Sequence, residues 1–209
     1  MKTEYRTIRN RASAEMIERR SRFIAHVLPV QTEQEALAFI NALRSEYYDA
    51  THNVYAYIID DNNICRYSDD GEPSGTAGIP VLDVLRKENL TNLCVVVTRY
   101  FGGILLGGGG LVRAYGASAK LGVDAGGIIT RVLCDVVEVS CDYTLLGKLR
   151  YEAENRGNTI KEITYTDKAQ MYVYTKTEET EGFLKAMCEA SNGRAVCAVT
   201  EQDYLDLES

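Results

Sequence analysis

The stretch that decides the fold runs from Val95 to Tyr115 and reads VVVTRYFGGILLGGGGLVRAY. Its first part belongs to the run LCVVVTRY, which is apolar on both faces, so we expect a central strand that is covered on both sides. A helix is predicted from Leu111 to Gly127, where a Gly-Gly pair gives the stop signal. Ten of the 17 glycines in the chain lie between Gly102 and Gly127. Because glycine loses more backbone entropy on folding than any other residue, this density requires a reason.

Two interpretations of the glycine run are open at this point. In the first, bare N–H groups at the positive end of the helix dipole bind an anion together with the flanking arginines. In the second, the run is a tight crossover at which two backbones touch. The run matches neither GxxxxGK[ST] nor GxGxxG, the two standard phosphate fingerprints. The first interpretation predicts one anion-binding or nucleic-acid-binding concavity formed by Arg99, Gly107, Gly108, Gly109, Gly110 and Arg113.

A second motif, SDDGEPSGTAG, occupies residues 68–78 and holds three carboxylates close together. Asp69, Asp70 and Glu72 could bind a hard cation or act as an acid–base pair. Alternatively, the segment is a solvated turn whose acidic side chains cap the helix that follows, IPVLDVLRKEN. Because adjacent carboxylates on a short loop usually face different ways, the sequence favours the turn. We therefore expect no catalytic residue, no metal ion and no cofactor.

The rest of the first half carries its own element signals. Strands are predicted over residues 3–10 and 22–29. The segment TEQEALAFINALRSEYYD predicts a helix that opens with a capping box of Thr32 and Glu35. The segment NVYAYIIDDNNICRYS predicts a β-hairpin that turns at residues 61–63.

From about Arg131 the pattern of elements changes. VLCDVVEVSCD predicts a long strand, and a helix, two strands, a second helix and a last strand follow it. This βαββαβ order is typical of ferredoxin-like folds and forms a complete two-layer unit. We therefore predict an α+β protein with one domain over residues 1–134 and a ferredoxin-like domain over residues 135–209.

Composition and charge limit the classes of function. The chain has 209 residues and a formal net charge of -7, and its 45% of hydrophobic residues is ordinary for a globular protein. Residues 136–209 hold 8 basic and 14 acidic groups, whereas the first 22 residues hold 7 basic and 3 acidic groups. A polyanion should therefore contact the first domain. No segment resembles a signal peptide or a membrane span, so we expect a cytoplasmic protein whose six cysteines are reduced and buried.

Four segments of the first domain resemble the IMPACT / YigZ family: SRFIAHVLPV, DATHNVYAY, SDDGEPSGTAGIPVLDVL and VVVTRYFGGILLGGGGLVRAYG. The order of DDGEPSGTAG, TRYFGG and LVRAYG is highly specific. The resemblance implies a first domain like the second domain of ribosomal protein S5, and a second domain like domain V of elongation factor G. It implies no catalytic residue. It does imply a motif surface made of Ser68, Asp69, Asp70, Gly71, Glu72, Pro73, Arg99, Tyr100, Phe101, Gly102, Gly103, Gly108, Arg113 and Tyr115.

Eukaryotic members of the family regulate translation initiation. The resemblance therefore implies a non-catalytic factor that binds RNA, the ribosome or a translation-associated protein. The residues leave two enzymatic alternatives open. One is an enzyme that binds a phosphorylated small molecule or nucleotide at the glycine-rich loop. The other is a metal-dependent hydrolase at the carboxylates of residues 68–78, which we call the acidic loop. The sequence favours the three in that order and does not determine the oligomeric state.

Overall fold

The computed structural model describes residues 2–60 and 63–208, which divide into two compact units. One unit consists mainly of Tyr5–Thr130 and the other mainly of Arg131–Leu207. Each unit combines helices with a sheet, so the α+β fold class is confirmed. That residues 1–134 and residues 135–209 fold as separate domains stays a prediction.

The first part of the chain forms one antiparallel sheet with helices on both faces. Its strands run in the order β2-β3-β6-β4-β5, and β6 is the central strand, as its apolar run predicts. The strands and helices of this part are β1 (Glu4–Ile8), β2 (Ala12–Glu18), β3 (Ser21–Pro29), α1 (Glu33–Glu46), β4 (His52–Ile59), β5 (Ile64–Ser68), α2 (Gly78–Lys87), β6 (Leu93–Tyr100) and α3 (Gly108–Gly126).

The central strand β6 serves two cores. Val95 and Val97 belong to the cluster that packs under α2 and α3, whereas Cys94 and Val96 belong to the cluster under α1. All four side chains are fully buried. Because side chains alternate between the faces of a strand, a strand covered on both faces carries a continuous apolar run, here residues 93–97.

Strand β2 is not among the predicted elements. Its sequence, ASAEMIE, is rich in Ala, Glu and Met, which have high intrinsic helix propensities. Its pairing with β3 overrides that preference, from Ala12 opposite Val27 to Glu18 opposite Ser21. The two-residue turn between them consists of Arg19 and Arg20, both with left-handed backbone angles (φ 46° and 66°).

The remaining local predictions for this part can now be placed. Thr32 and Glu35 form the predicted capping box at the start of α1. Strands β4 and β5 pair antiparallel, as the hairpin pattern predicts, while Asp61 and Asn62 at its turn lie outside the described residues. Helix α3 begins at Gly108, three residues before the predicted start, so glycines form its first turn.

The second part of the chain has the ferredoxin-like order of elements. Among its strands, β7 pairs with both β9 and β10, and β9 pairs with β8, as in a split βαββαβ unit. Helices α4 and α5 cover one core that includes Val137, Leu149 and Phe183. The elements are β7 (Ile128–Cys141), α4 (Tyr143–Asn155), β8 (Thr159–Tyr165), β9 (Ala169–Lys176), a short 3₁₀ helix (Thr177–Glu179), α5 (Thr180–Ser191) and β10 (Val196–Glu208).

Composition predicts buried, reduced cysteines and no membrane span. All six cysteines are free thiols, but only Cys94, Cys134 and Cys141 are buried, and Cys188 is exposed. Among the helices of the described residues, none combines the length and the apolar character that crossing a membrane would need.

Candidate functional site

Asp69 caps helix α2. Its carboxylate accepts hydrogen bonds from the backbone N–H groups of Gly75 (2.9 Å), Ala77 (3.1 Å) and Gly78 (2.8 Å). The first N–H groups of a helix have no intrahelical partner and lie at the positive end of its dipole, so a carboxylate there is stabilising. The capping interpretation of the acidic loop therefore holds for Asp69.

Asp70 faces other partners and ties the loop to α1 and β4. Its Oδ1 accepts from Arg44 Nη2 at 2.8 Å, and its Oδ2 accepts from the backbone N–H of Asn53 at 2.7 Å. Its carbonyl oxygen lies 2.8 Å from Nδ1 of His52. Because a carbonyl only accepts, Nδ1 carries the hydrogen in this contact. Asp70 thus fixes the orientation of the His52 ring.

Glu72 is buried and is the centre of a charged group that we call the buried ion cluster: Glu72, Arg99, Tyr115 and His52. Its Oε1 accepts from Arg99 Nη1 at 2.5 Å and from the Tyr115 hydroxyl at 2.8 Å. Its Oε2 is 3.8 Å from His52 Nε2. Burial and the Glu72 carboxylate raise the pKa of Tyr115, so the hydroxyl stays protonated and donates. The cluster joins the acidic loop to β4, β6 and α3.

The three carboxylates of the acidic loop do not converge. Asp69 binds peptide groups, Asp70 pairs with Arg44, and Glu72 pairs with Arg99. Within residues 2–60 and 63–208, no group of three His, Cys, Asp or Glu side chains is placed to hold a metal ion. Each negative charge therefore already has a partner, and the geometry gives no support to a metal-dependent hydrolase at this loop.

Arg99 lies inside the buried ion cluster and not on an open surface. Its guanidinium is 5.4 Å from the ring centre of Phe23 and 5.6 Å from that of Phe101. Its Nη2 donates to the Ser21 hydroxyl at 3.4 Å. An anion bound at Arg99 would have to displace Glu72. The single concavity predicted for Arg99 and Arg113 would thus require Arg99 to leave its present partner.

The other motif residues hold the loops around this cluster. The Tyr100 hydroxyl donates to Asp49 at 2.8 Å, and the Phe101 N–H donates to the Thr51 hydroxyl at 3.0 Å. Within the acidic loop, the Ser68 hydroxyl accepts from the Asp70 N–H, and the Pro73 carbonyl accepts from the Thr76 hydroxyl. Gly71 and Gly103 have left-handed backbone angles, which favour glycine.

At Gly102 another segment of backbone approaches closely. A Cβ at this position would lie 2.0 Å from the carbonyl carbon of Arg20 and 2.4 Å from the nitrogen of Ser21. The turn between β2 and β3 therefore passes against the backbone at residue 102, and only glycine fits. Gly122, which the sequence places within a helix at some cost, is likewise packed, because its Cβ would lie 2.8 Å from the Cβ of Ala25. The packing interpretation is thus correct for these two glycines.

The run from Gly107 to Gly110 is mixed, because a Cβ at Gly110 would lie 3.1 Å from the Cβ of Leu106 while its neighbours are less crowded. Gly107 precedes α3 with a φ of 71°, which explains a glycine there. At Gly108 and Gly109, however, φ is not left-handed and a Cβ would meet nothing closer than 3.6 Å. Alanine at either position would stabilise the helix by up to about 1 kcal/mol. Internal packing therefore does not explain these two glycines, and the first N–H groups of α3 are left uncovered.

Arg113 lies one turn into α3 and is exposed. Its Nη1 would be 3.6 Å from a Cβ at Gly109, so the guanidinium lies beside the glycine run. It lines a groove of about 230 Å³, here called the α3 groove, together with Glu18 and Arg19 of the β2–β3 turn region. Arg19 belongs to none of the sequence motifs described above. The signal that could have found it is the basic excess of the first 22 residues.

These features define a class: two-domain α+β proteins in which an acidic loop and a TRYFGG segment meet in a buried ion cluster. Residues 19–123 match the family described as Impact N-terminal domain, and residues 139–194 match Domain of unknown function (DUF1949). The chain belongs to the IMPACT family.

Relatives and a solved structure agree with this assignment. The chain is 43% identical to IMPACT family member YvyE of Bacillus subtilis over 203 residues, which cover 97% of this chain and 94% of that one. It is 37% identical to Protein IMPACT of Homo sapiens over 94 residues, which cover 43% of this chain and 29% of the human protein. A crystal structure described as that of an hypothetical protein superimposes with a TM-score of 0.61 and 27% identity, covering 96% of this chain and 99% of the other.

Proposed function

We propose that this protein is a non-catalytic cytosolic factor that acts in translation or stress regulation by binding RNA, the ribosome or a translation-associated protein. The observation that carries the proposal is the start of α3. There, Gly108 and Gly109 lack an internal reason to be glycine, and the exposed Arg113 lies beside them. A helix start without side chains lets a partner approach the backbone N–H groups closely. The resemblance of the motifs to translation regulators supplies the biological context.

Two features favour binding over catalysis. The acidic side chains of the acidic loop are all engaged in contacts that hold the fold. The α3 groove, at about 230 Å³, is smaller than the roughly 300–1,000 Å³ of typical small-molecule sites. A groove of this size fits part of a larger partner better than a whole metabolite.

The test is co-sedimentation of the purified protein with ribosomal subunits and with total RNA at low and at physiological salt. If phosphates contribute, binding should weaken by orders of magnitude as salt rises from about 50 to about 200 mM. A protein that stays in the supernatant at low salt with both partners would contradict the RNA and ribosome forms of the proposal.

A second candidate is the binding of a phosphorylated small molecule or nucleotide at the glycine run. It is favoured by the same uncovered N–H groups at the start of α3. Thermal-shift screening of nucleotides and sugar phosphates distinguishes the two candidates, because a specific ligand raises the melting temperature as its concentration exceeds Kd. A panel without any concentration-dependent shift would exclude this candidate.

A further inference from the structure

Large apolar side chains are concentrated on the surface next to the α3 groove. Within the twelve residues from Phe101 to Val112, four such side chains are at least 39% exposed, and Leu105 is 80% exposed. Single exposed apolar residues are normal, but several of them within one short segment are typical of a surface that another molecule covers. We call this set, made of Phe101, Ile104, Leu105 and Val112, the apolar loop.

The α3 groove continues the apolar character of that loop. Its apolar lining comes from Met16, Leu106, Ala114 and Ala117. Methionine and aliphatic side chains of this kind adapt to the side chains of a protein partner. Phosphate groups gain nothing from such a lining.

The charges around the groove are predominantly positive. Arg19 has only a long contact, 4.0 Å, to Glu18, and both side chains are about half exposed. Arg113, which also lines the groove, is exposed. The positive end of the α3 dipole adds to the same field. Glu18 offsets only one of the two arginines in the lining, so the groove would attract a carboxylate supplied by a partner.

The turn that carries Arg19 is held in place before any partner arrives. Both of its residues have left-handed backbone angles, which are unfavourable for a residue with a long side chain. The close contact of Gly102 with Arg20 keeps the turn against the start of the apolar loop. A surface fixed in advance loses less conformational entropy on binding.

The geometry points to a docking site for an acidic, amphipathic protein segment. Its aliphatic side chains would enter the α3 groove and cover Leu105, and its carboxylates would pair with Arg19 and Arg113. RNA fits this surface less well. Bases stack on aromatic rings, and the one ring of the apolar loop, Phe101, already packs against the Arg99 guanidinium.

This inference rests on the proposed function and names the class of its partner. The test measures binding of the full-length protein to a labelled synthetic peptide of about 16 residues, with leucines at helical i, i+3, i+4 spacing and glutamates elsewhere. Comparison probes are the same peptide with lysine for glutamate and an oligouridine RNA of similar length. The acidic peptide should bind, and both comparison probes should bind at least about tenfold more weakly at the same salt.

Variants locate the site. Leu105→Ser and Arg113→Glu should each weaken binding of the acidic peptide by about tenfold. Leu37→Ser on α1 and Arg86→Glu on α2 are matched controls, because these side chains are also exposed, and they should leave binding unchanged. All four changes lie on the surface, so unchanged melting temperatures are expected to accompany them.

Several outcomes would overturn the inference. These are tighter binding of the RNA than of the acidic peptide, an unchanged peptide affinity in Leu105→Ser, or no peptide binding at all. If the protein co-sediments with ribosomes but does not bind the peptide, only the inferred class of partner is wrong and the proposed function stands. Loss of both kinds of binding would remove the proposed function as well.

Discussion

The glycines of this protein fall into two groups, those that the fold requires and those that it does not require. At residue 102 a backbone segment occupies the space of a Cβ, whereas at residue 109 a Cβ would make only an ordinary contact, 3.6 Å from the end of the Arg113 side chain. The two positions carry the same amino acid in the same motif region. Only the atoms around each position show that Gly102 is a packing residue and that Gly109 lies on a surface accessible to a partner.

A pair of alanine substitutions measures this difference. Gly102→Ala should destabilise the protein by about 3 kcal/mol or more, because backbone has to move. Gly109→Ala should be neutral or stabilise it by up to about 1 kcal/mol, since the helix gains a better former. Urea unfolding of the two variants beside the parent chain gives both values. Equal destabilisation by both would show that Gly109 is also a packing residue.

At the start of α3, Arg113→Ala should weaken polyanion binding by roughly one to two decades while the melting temperature stays the same. A charge-assisted arginine contact is worth about 1.5–3 kcal/mol when partly desolvated. Gly109→Val should weaken binding too, because its side chain would block close approach. Fluorescence anisotropy with a labelled RNA reports both. If Arg113→Ala unfolds the chain instead, the arginine is structural and the loop maintains the fold.

Glu72 provides the third residue-scale prediction. Glu72→Gln should destabilise the protein by about 3–5 kcal/mol, because Arg99 would keep a buried charge without its partner. The exposed Glu154→Gln, which removes only an i,i+4 pair with Arg150, is the matched control and should change stability by less than about 0.5 kcal/mol. A double variant, Glu72→Gln with Arg99→Met, should recover part of the loss in denaturant unfolding. Additive losses in the double variant would mean that the two side chains are not coupled.

At the scale of elements, the structure shows why α2 begins where it does. Its own N-cap residue, Ala77, has no side chain that can cap, so the cap comes from Asp69, eight residues earlier. The start of α2 is therefore fixed by the acidic loop. That loop is fixed in turn by Asp70 and Glu72.

Asp69→Ala should cost about 1–2 kcal/mol, the range of a lost helix cap. Asp83→Ala on the exposed side of α2 serves as the control and should stay within about 0.5 kcal/mol of the parent chain. Hydrogen exchange should show faster exchange at Ala77 and Gly78 in Asp69→Ala alone. Unchanged protection at these amides would argue against the cap.

At the scale of the whole molecule, the two units differ in charge and each has its own core. The fragment 135–209 should therefore fold by itself into an acidic monomer. Circular dichroism and analytical ultracentrifugation test this expectation. Because the compact unit extends from Arg131, the fragment 131–209 is the control for the boundary. If only the longer fragment folds, the boundary is wrong; if neither folds, the second domain does not fold independently.

The amino-acid sequence by itself determined most of the element types, the central strand, the ferredoxin-like order of the second half and the family. These follow from short-range signals such as apolar periodicity, caps and stop residues, together with specific motifs. The turn interpretation of the acidic loop, in which an acidic side chain caps the following helix, is also correct for Asp69. The sequence does not indicate strand β2, because its residues favour helices and only pairing with β3 decides otherwise.

Only the tertiary structure decided the partners of the charged residues. Arg99 and Arg113 flank the same glycine run in the sequence, yet Arg99 is buried against Glu72 and Arg113 lies on the α3 groove with Arg19. The reason is physical. A side chain's partner depends on which elements the sheet and helices bring together over 27 or more positions of sequence separation, and no local pattern records that distance. The same holds for Gly102, whose need for glycine comes from a backbone 81 residues away at Ser21.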